Sequence, residues 1–519
     1  MKKLLAVVLA LVMLMSVSVI AVADDEPIVL HVAQDFDPGS LAPYGTEGPR
    51  NVPTNMIYQS LGNIAPDMSE FMLVLAKSFE EVGNNVYDIE IYDYITDSAG
   101  NHMTADDVIF SYETYKAAGY NTQYISSLDT IEKTGDYTVR IKMKDDAKIG
   151  AIETMLEKVR IITKAAYEAS PDQMATTPVG TGTYVVTDYK NGQQITYTKR
   201  ADYWQTDESK LNVYQRAYAD TIYLDVITDF STQAIAMQSG QIDVSQFIPV
   251  ADMINFVDEN NNARPGYNVG YVLHSALFQV IYNCSENSPM SDINLRKAVA
   301  YALDSAQIMA TGWGVNGHPA AAVASAYSAD FEEGAFDADT YFPYDPDLAK
   351  DYLSKSNYNG ETIRILVTSN FPSASATLVQ AYLNAIGIKA ELLIYENAMY
   401  LSMNADNTGT QYELEIAAPN STGYICSNTY EYDKNYRENG LPHIILDDPK
   451  LQELYDTMAN KSTNSPEAAT EFLKYIEENV YGYGLGYRTK CCIGRDRVLE
   501  VAFNEWGDLL PAACEVINK

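Results

Sequence analysis

Cysteine, histidine and tryptophan are scarce in this chain, with 5, 5 and 3 copies among 519 residues, so chemistry that depends on them has little to draw on. The cysteines are Cys284, Cys426, Cys491, Cys492 and Cys514. They are too thinly spread for a disulfide framework, and the absence of C-x-x-C excludes a zinc ribbon. His31, His102, His274, His318 and His443 are scattered, with no pair one helical turn apart, so no metal site is written locally. Positive charge is also short. Lys and Arg number 35 against 70 Asp and Glu, a formal net charge of −35. Such a chain repels nucleic-acid phosphates and anionic lipid, and neither is expected as a partner. The motifs of serine hydrolases, P-loop NTPases and zinc proteases (G-x-S-x-G, G-x-x-x-x-G-K-[ST], H-E-x-x-H) are absent. Gly180-Thr181-Gly182-Thr183 looks like part of a phosphate loop but runs into a strand and reads as a turn. No catalytic residue, metal or cofactor is therefore expected, and the protein does not read as an enzyme.

Long apolar runs are lacking after the first 23 residues. Lys2 and Lys3 precede the nearly unbroken apolar stretch Leu4 to Val22, and Ala21-Val22-Ala23 offers small residues where a signal peptidase cuts. Residues 1–23 are expected to be a cleavable signal peptide, with an uncleaved anchor as the alternative. No Cys follows the cleavage point, so the lipid attachment of a lipoprotein is not expected. The mature chain would be periplasmic or associated with the cell envelope.

The rest has the makings of a folded, multidomain protein: 47% hydrophobic and 20% charged residues over a length that allows two to four domains. Ile363, Ile365 and Val367 alternate in a buried strand; Leu378, Tyr382, Leu383 and Ile386 recur at helical spacing up to Gly387; Ile388 to Tyr395 forms a second strand. That βαβ unit predicts a parallel strand pair, with ligands near Ser369 and Asn370 at the strand end. A similar unit places a strand over Ile222–Val226 and a helix capped by Ser231 and ended by Gly240. Thr104-Ala105-Asp106-Asp107 opens another helix, and Asn294 to about Met309 reads as a fourth. Gly482, Gly484 and Gly486 alternate with large residues, which describes a strand with one bare face for close approach of another segment. Tyrosine is abundant, at 40 copies. Tyr424, Tyr430, Tyr432 and Tyr436 cluster in a polar loop, where rigid amphipathic rings suit either a binding surface or local packing.

Seven or more ordered motifs carry a resemblance. They include Leu75-Ala76-Lys77-Ser78-Phe79-Glu80, Thr104-Ala105-Asp106-Asp107-Val108-Ile109-Phe110-Ser111 and Pro178-Val179-Gly180-Thr181-Gly182-Thr183-Tyr184 with Arg200-Ala201-Asp202-Tyr203-Trp204. Ser239-Gly240-Gln241-Ile242-Asp243, Leu295-Arg296-Lys297-Ala298-Val299-Ala300-Tyr301-Ala302-Leu303-Asp304 and Tyr344-Asp345-Pro346-Asp347 follow in the same order. Over nearly the whole mature chain the sequence resembles the family of extracytoplasmic peptide-, dipeptide- and nickel-binding proteins of ABC importers. The resemblance implies an α/β, two-lobed periplasmic-binding-protein-like fold of the class II type with an extra domain in one lobe. Domain I would comprise 24–55, 176–275 and 486–519, domain II 56–175, and domain III 276–485. It implies a monomer that captures a small solute, expected to be an oligopeptide or dipeptide, in an interlobe cleft, closes on it, and docks on ABC transporter permease subunits. Use of the same fold for sensing or adhesion is the alternative. Tyr44, Trp313, Asn370, Tyr424 and Asp433 are expected to face the ligand. The family often carries a Trp and an Asp where this chain reads Ala417-Ala418-Pro419-Asn420-Ser421-Thr422-Gly423-Tyr424, so recognition of an amino terminus would fall to Asp433 or Glu431. Export also permits bridges: Cys284 with Cys426, and Cys514 with Cys491 or Cys492, against five buried free thiols.

Overall fold

The computed structural model describes residues 26–44, 52–119, 122–246, 248–369, 371–404, 409–418, 423–434 and 447–518; the expected signal segment and Asn370 lie outside them. Among the described residues no helix is long and apolar enough to cross a membrane.

Two long strands organise the molecule. Tyr267–Tyr282 and Gly482–Arg495 pair antiparallel, from Tyr267 opposite Arg495 to Ile281 opposite Gly482. Around this ribbon eleven strands of the described residues form one sheet. On one side it continues through Val244–Ser245 to Val29–Gln34, which runs parallel to Thr221–Val226. On the other it continues through Leu414–Ala417 to the parallel strands Ile363–Thr368 and Ala390–Tyr395. A separate antiparallel sheet joins Ala76–Gly83, Val86–Ile91, Thr138–Met143 and Leu128–Gly135, and helix Ala105–Ala118 packs on it.

The apolar cores follow this division. One is built around Leu30, Ile222, Val244 and Cys492, another around Ile89, Val108, Ile141 and Met155, and a third, the largest, from Phe278 through Leu485. The first two share one lobe and the third makes the other, so the long strands are the covalent crossings between lobes. The fold is mixed α/β and two-lobed.

Local chemistry accounts for most elements. The βαβ unit occupies Ile363–Thr368, Ser373–Ile386 and Ala390–Tyr395, and Gly387 ends its helix at φ 101°. Thr104 caps its helix by donating its amide to Asp107 Oδ2 at 2.8 Å. The bare face of the crossing strand is filled as its glycines require: a Cβ on Gly484 would stand 2.1 Å from Ala322 O, and one on Gly482 would collide with the Tyr432 hydroxyl. Two details differ from expectation. Asp229 rather than Ser231 caps the helix Phe230–Ser239, because its carboxylate reaches Thr232 N at 2.7 Å. The helix expected from Asn294 to Met309 is two, Ile293–Ala302 and Ser305–Trp313, because Asp304 caps the second by accepting from Gln307 N at 2.9 Å.

The expected disulfides are absent: Cys284, Cys426, Cys491, Cys492 and Cys514 are all free thiols. Cys491 and Cys492 are consecutive on an extended strand, so they point to opposite faces and pack in different cores. Burial pushes the Cys284 thiol up to about 11 and the Cys514 thiol up to about 12, so neither is a thiolate at neutral pH. A thiol reagent added in denaturant should therefore count five groups, while the folded protein reacts slowly; a count of three or one would restore one or both bridges.

Candidate ligand-binding site

Between two apolar stretches the chain carries Glu157, Lys158 and Arg160. Met155, Leu156, Val159, Ile161 and Ile162 around them are at most 1% exposed, so anchoring the apolar residues draws the charged ones inward. Helix Ala151–Lys158 ends there, and Val159 is already extended. A turn near the C-terminus meets this segment. Asn504 Oδ1 accepts from Trp506 N at 3.0 Å and Asp508 N at 2.7 Å, which holds Glu505 and Trp506 outward from the turn. Gly507, at φ 68°, closes the turn where a Cβ would stand 2.9 Å from the Lys490 side chain of the crossing strand.

Together these segments and the loop after Leu41 enclose a polar cavity walled by Tyr44, Tyr115, Tyr124, Tyr214 and Trp506. It leaves about 110 Å³ open to the centres of waters, room for several waters or one compact polar group. Its electrostatics are dense. Lys158 Nζ bonds Glu157 Oε1, lies 3.8 Å from Glu505 Oε1, and sits 4.5 Å from the Trp506 ring centroid. The Tyr214 hydroxyl is 3.1 Å from Glu505 Oε2, and Arg160 donates to Asn55 Oδ1. Burial, then the charge of Glu157, raises the Glu505 carboxyl well above its ordinary range. Burial also lifts Glu157, but the Lys158 ammonium together with hydrogen bonding from Glu505 and Trp506 outweighs it and keeps that carboxyl below its usual value. The cavity thus offers both signs of charge inside aromatic walls, which complements a zwitterion.

Of the residues expected to face the ligand, Tyr44 is in this wall: its hydroxyl donates to Arg160 O at 2.7 Å and its ring meets Tyr115 edge-on. Trp313 is a packing residue instead. It is 8% exposed, stacked on Phe278 at 4.7 Å and edge-on to Phe371. Its flanking glycine serves that packing, since a Cβ on Gly312 would stand 2.7 Å from Ser375 Oγ. Tyr424 and Asp433 come together elsewhere, at a seam where the smaller sheet unit touches the other lobe. Asp433 is 3% exposed and pairs with Lys148 Nζ at 2.7 Å. Lys148 also reaches Tyr455 OH at 2.9 Å, Ile149 N donates to Ala459 O at 2.8 Å, and the Tyr424 ring occupies the space beside Gly150. Lys461 adds a bond to Glu81 at 2.5 Å. Asp433 is therefore held by Lys148 at this seam, and Glu431 Oε1 accepts from the Gln279 side-chain amide. Asn370 lies outside the described residues. Sequence reading missed Glu157, Lys158, Arg160, Glu505 and Trp506; the signal available was the charged triplet inside an apolar run.

Two lobes joined by a pair of crossing strands, with a polar cavity beside that junction and a side-chain seam across the lobes, define a two-lobed solute-binding protein. The chain belongs to the bacterial extracellular solute-binding proteins, family 5, whose middle region matches residues 70–430. Heme-binding protein A of Haemophilus influenzae is 26% identical over 331 residues, 57% of this chain and 56% of that protein, so the chain matches little more than half the length of that relative. The oligopeptide-binding protein AppA of Bacillus subtilis is 26% identical over 394 residues, 70% of this chain and 68% of that one. The dipeptide binding protein of Pseudoalteromonas sp. SM9913, solved with Met-Leu, superposes with a TM-score of 0.76 at 18% identity, covering 93% of this chain and 99% of that one.

Proposed function

We propose that this protein captures a short peptide between its lobes and delivers it to the permease subunits of an ABC importer, acting as a monomer without chemical turnover. The observation that carries the reading is the two-lobed arrangement itself, with side-chain and backbone bonds across the lobes from Lys148 Nζ to Asp433 Oδ2 at 2.7 Å and from Ile149 N to Ala459 O at 2.8 Å. The names of relatives point the same way, one binding oligopeptides and one solved with a dipeptide. Closure of the lobes at the Lys148–Asp433 seam supplies contacts that exist only in the closed state, which is how a ligand shifts such an equilibrium. Mass spectrometry of the purified, denatured protein should find short peptides released at one per chain; a different class of compound would sink the reading.

One further result is expected. The exported protein is expected to begin at Asp24, behind Ala21-Val22-Ala23 and without a lipid-bearing Cys. Its intact mass decides this, and a retained Met1–Ala23 segment would mean an anchor.

A further inference from the structure

The seam between the lobes holds a carboxyl group that its lysines do not serve. Helix Ala151–Lys158 turns Ile152, Met155 and Leu156 into the core beneath it, which leaves Glu153 on its flank, in the first turn beside Gly150. That end of the helix is where the other lobe touches. A Cβ on Gly150 would stand 2.8 Å from the Tyr424 ring, Ile149 N donates to Ala459 O at 2.8 Å, and Lys148 lies opposite Asn460 in an antiparallel bridge. Oε2 of Glu153 is buried, and among the described residues it accepts no hydrogen bond. Lys148 and Lys461, the lysines that bind across the seam, are engaged elsewhere. Lys148 holds Asp433 and Tyr455, and Lys461 holds Glu81 and the Tyr87 hydroxyl, the latter at 3.0 Å.

A buried carboxylate oxygen without a donor is costly, and the neutral acid removes most of that cost. With the lobes apart, the same side chain keeps water and the amide end of its own helix, and both favour the anion. The open form therefore stabilises the charge that the closed form excludes. We propose that Glu153 takes up a proton when the lobes close, which makes the seam a latch that tightens as pH falls. The latch depends on the lobes opening and closing, as the transport reading requires, and not on which solute they enclose. The proton comes from solvent and adds to the carboxylate, and no other covalent bond changes. The groups facing Glu153 come from both lobes. Glu81 and Tyr87 belong to the smaller sheet, Lys461 follows the helix Pro449–Ala459, and Tyr424 packs at the helix end. Burial is the largest influence on the carboxyl and raises it above its ordinary range; Lys461 opposes this and Glu81 adds to it. Asp330 stands near Tyr424, but its partners, Ile425 N at 2.9 Å and Asn464 Nδ2 at 2.9 Å, belong to its own lobe and move with it. Because the closed form holds Glu153 above its open-form value, closure is favoured progressively as pH falls from the higher value to the lower and gains nothing further below it. One linked proton limits the change in the closed-to-open ratio to about tenfold per pH unit.

Small-angle scattering of the full mature protein, freed of bound ligand and measured from about pH 8 down to about pH 5.5, reads the latch directly. Lys148→Met is measured beside the wild type, because its weaker seam keeps both forms populated. In at least one of the two the radius of gyration should shrink as pH falls, by an amount equal to about a threefold or greater rise in the closed-to-open ratio. Glu153→Gln, which keeps the side chain neutral at every pH, should show the low-pH radius throughout and no slope. Tyr424→Ala admits water to the same helix end from the other lobe, and it should flatten the slope independently. If Glu153→Gln loses its native melting transition, Tyr424→Ala decides alone. A slope retained in full by the folded Glu153→Gln, or by Tyr424→Ala, overturns the latch. So does a radius that pH leaves unchanged in both the wild type and a larger Lys148→Met, and in each of these cases the transport reading stands. A radius that neither pH nor Lys148→Met moves overturns both, because the lobes then do not open.

Discussion

Arg200→Leu should destabilise the protein by about 3 kcal/mol or more, seen in calorimetry as a lower first unfolding transition. The Arg200 side chain is 1% exposed and works as a buried hub. Its guanidinium donates to Asp97 O at 3.0 Å, Gly182 O at 3.2 Å and Gly180 O at 3.4 Å, and to the Asp202 carboxylate at 3.1 Å. Gly180 and Gly182 leave no room to rearrange, because a Cβ on either would stand 2.1 or 2.2 Å from a carbonyl of Ile57 or Met56. Leucine fills the space but supplies no donor: Gly182 O loses the guanidinium that serves it, while Asp97 O and Gly180 O lose a charge-assisted bond and keep Gly100 N at 3.1 Å and Ser98 N at 2.9 Å. A desolvated carbonyl without a partner costs roughly 1–3 kcal/mol, and the charge-assisted bonds lost at the other two add to it. Arg200→Lys, with one ammonium for the whole fork, should fall between the two. An unchanged transition in Arg200→Leu would show that the carbonyls find water.

The same residues show which parts of the molecule a sequence can state. The Pro178–Tyr184 and Arg200–Trp204 segments are recognisable because their demands are local: glycine where backbones touch, arginine where carbonyls converge. The βαβ unit is legible for a similar reason, since alternation, helical spacing and Gly387 each act within a few residues. The break at Asp304 is less so. The apolar face runs on through Ile308 and Met309, and only the reach of one carboxylate to Gln307 N decides that the chain bends. Trp313 misled because glycines beside a large ring suggest a loop, whereas here Gly312 lets the helix press against Ser375. The cavity was hidden by distance along the chain. Trp506 Nε1 approaches Glu157 Oε1 at 3.5 Å across 349 residues of sequence, and the charged triplet around Glu157 does not by itself say what it meets. Only the path of the chain, out through the smaller sheet unit and back along the crossing strand, brings them together.

Lys148→Met should open the protein. The ammonium of Lys148 is the cation on Asp433, whose side chain is 3% exposed and also accepts from the Gln452 side-chain amide at 3.1 Å. The Lys148 side chain is 37% exposed, so the pair is worth less than a fully buried one and more than a surface one. About 2 kcal/mol is a reasonable midpoint, and it would shift the closed-to-open ratio by roughly thirtyfold. Removing the charge acts on the closed form alone, because in an open form Asp433 regains water. Peptide affinity should therefore fall as the closed fraction falls, and small-angle scattering of the ligand-free variant should report a larger radius of gyration. The paired change Lys148→Met with Asp433→Leu separates a charge effect from simple loss of packing. Once both charges are gone no carboxylate is left stranded at the seam, and much of the affinity should return. If the double variant is as weak as the sum of the single ones, the residues act independently and the seam is not an ionic latch. If Lys148→Met binds as tightly as the wild type, closure is carried by Lys461 and the Ile149–Ala459 backbone bond instead.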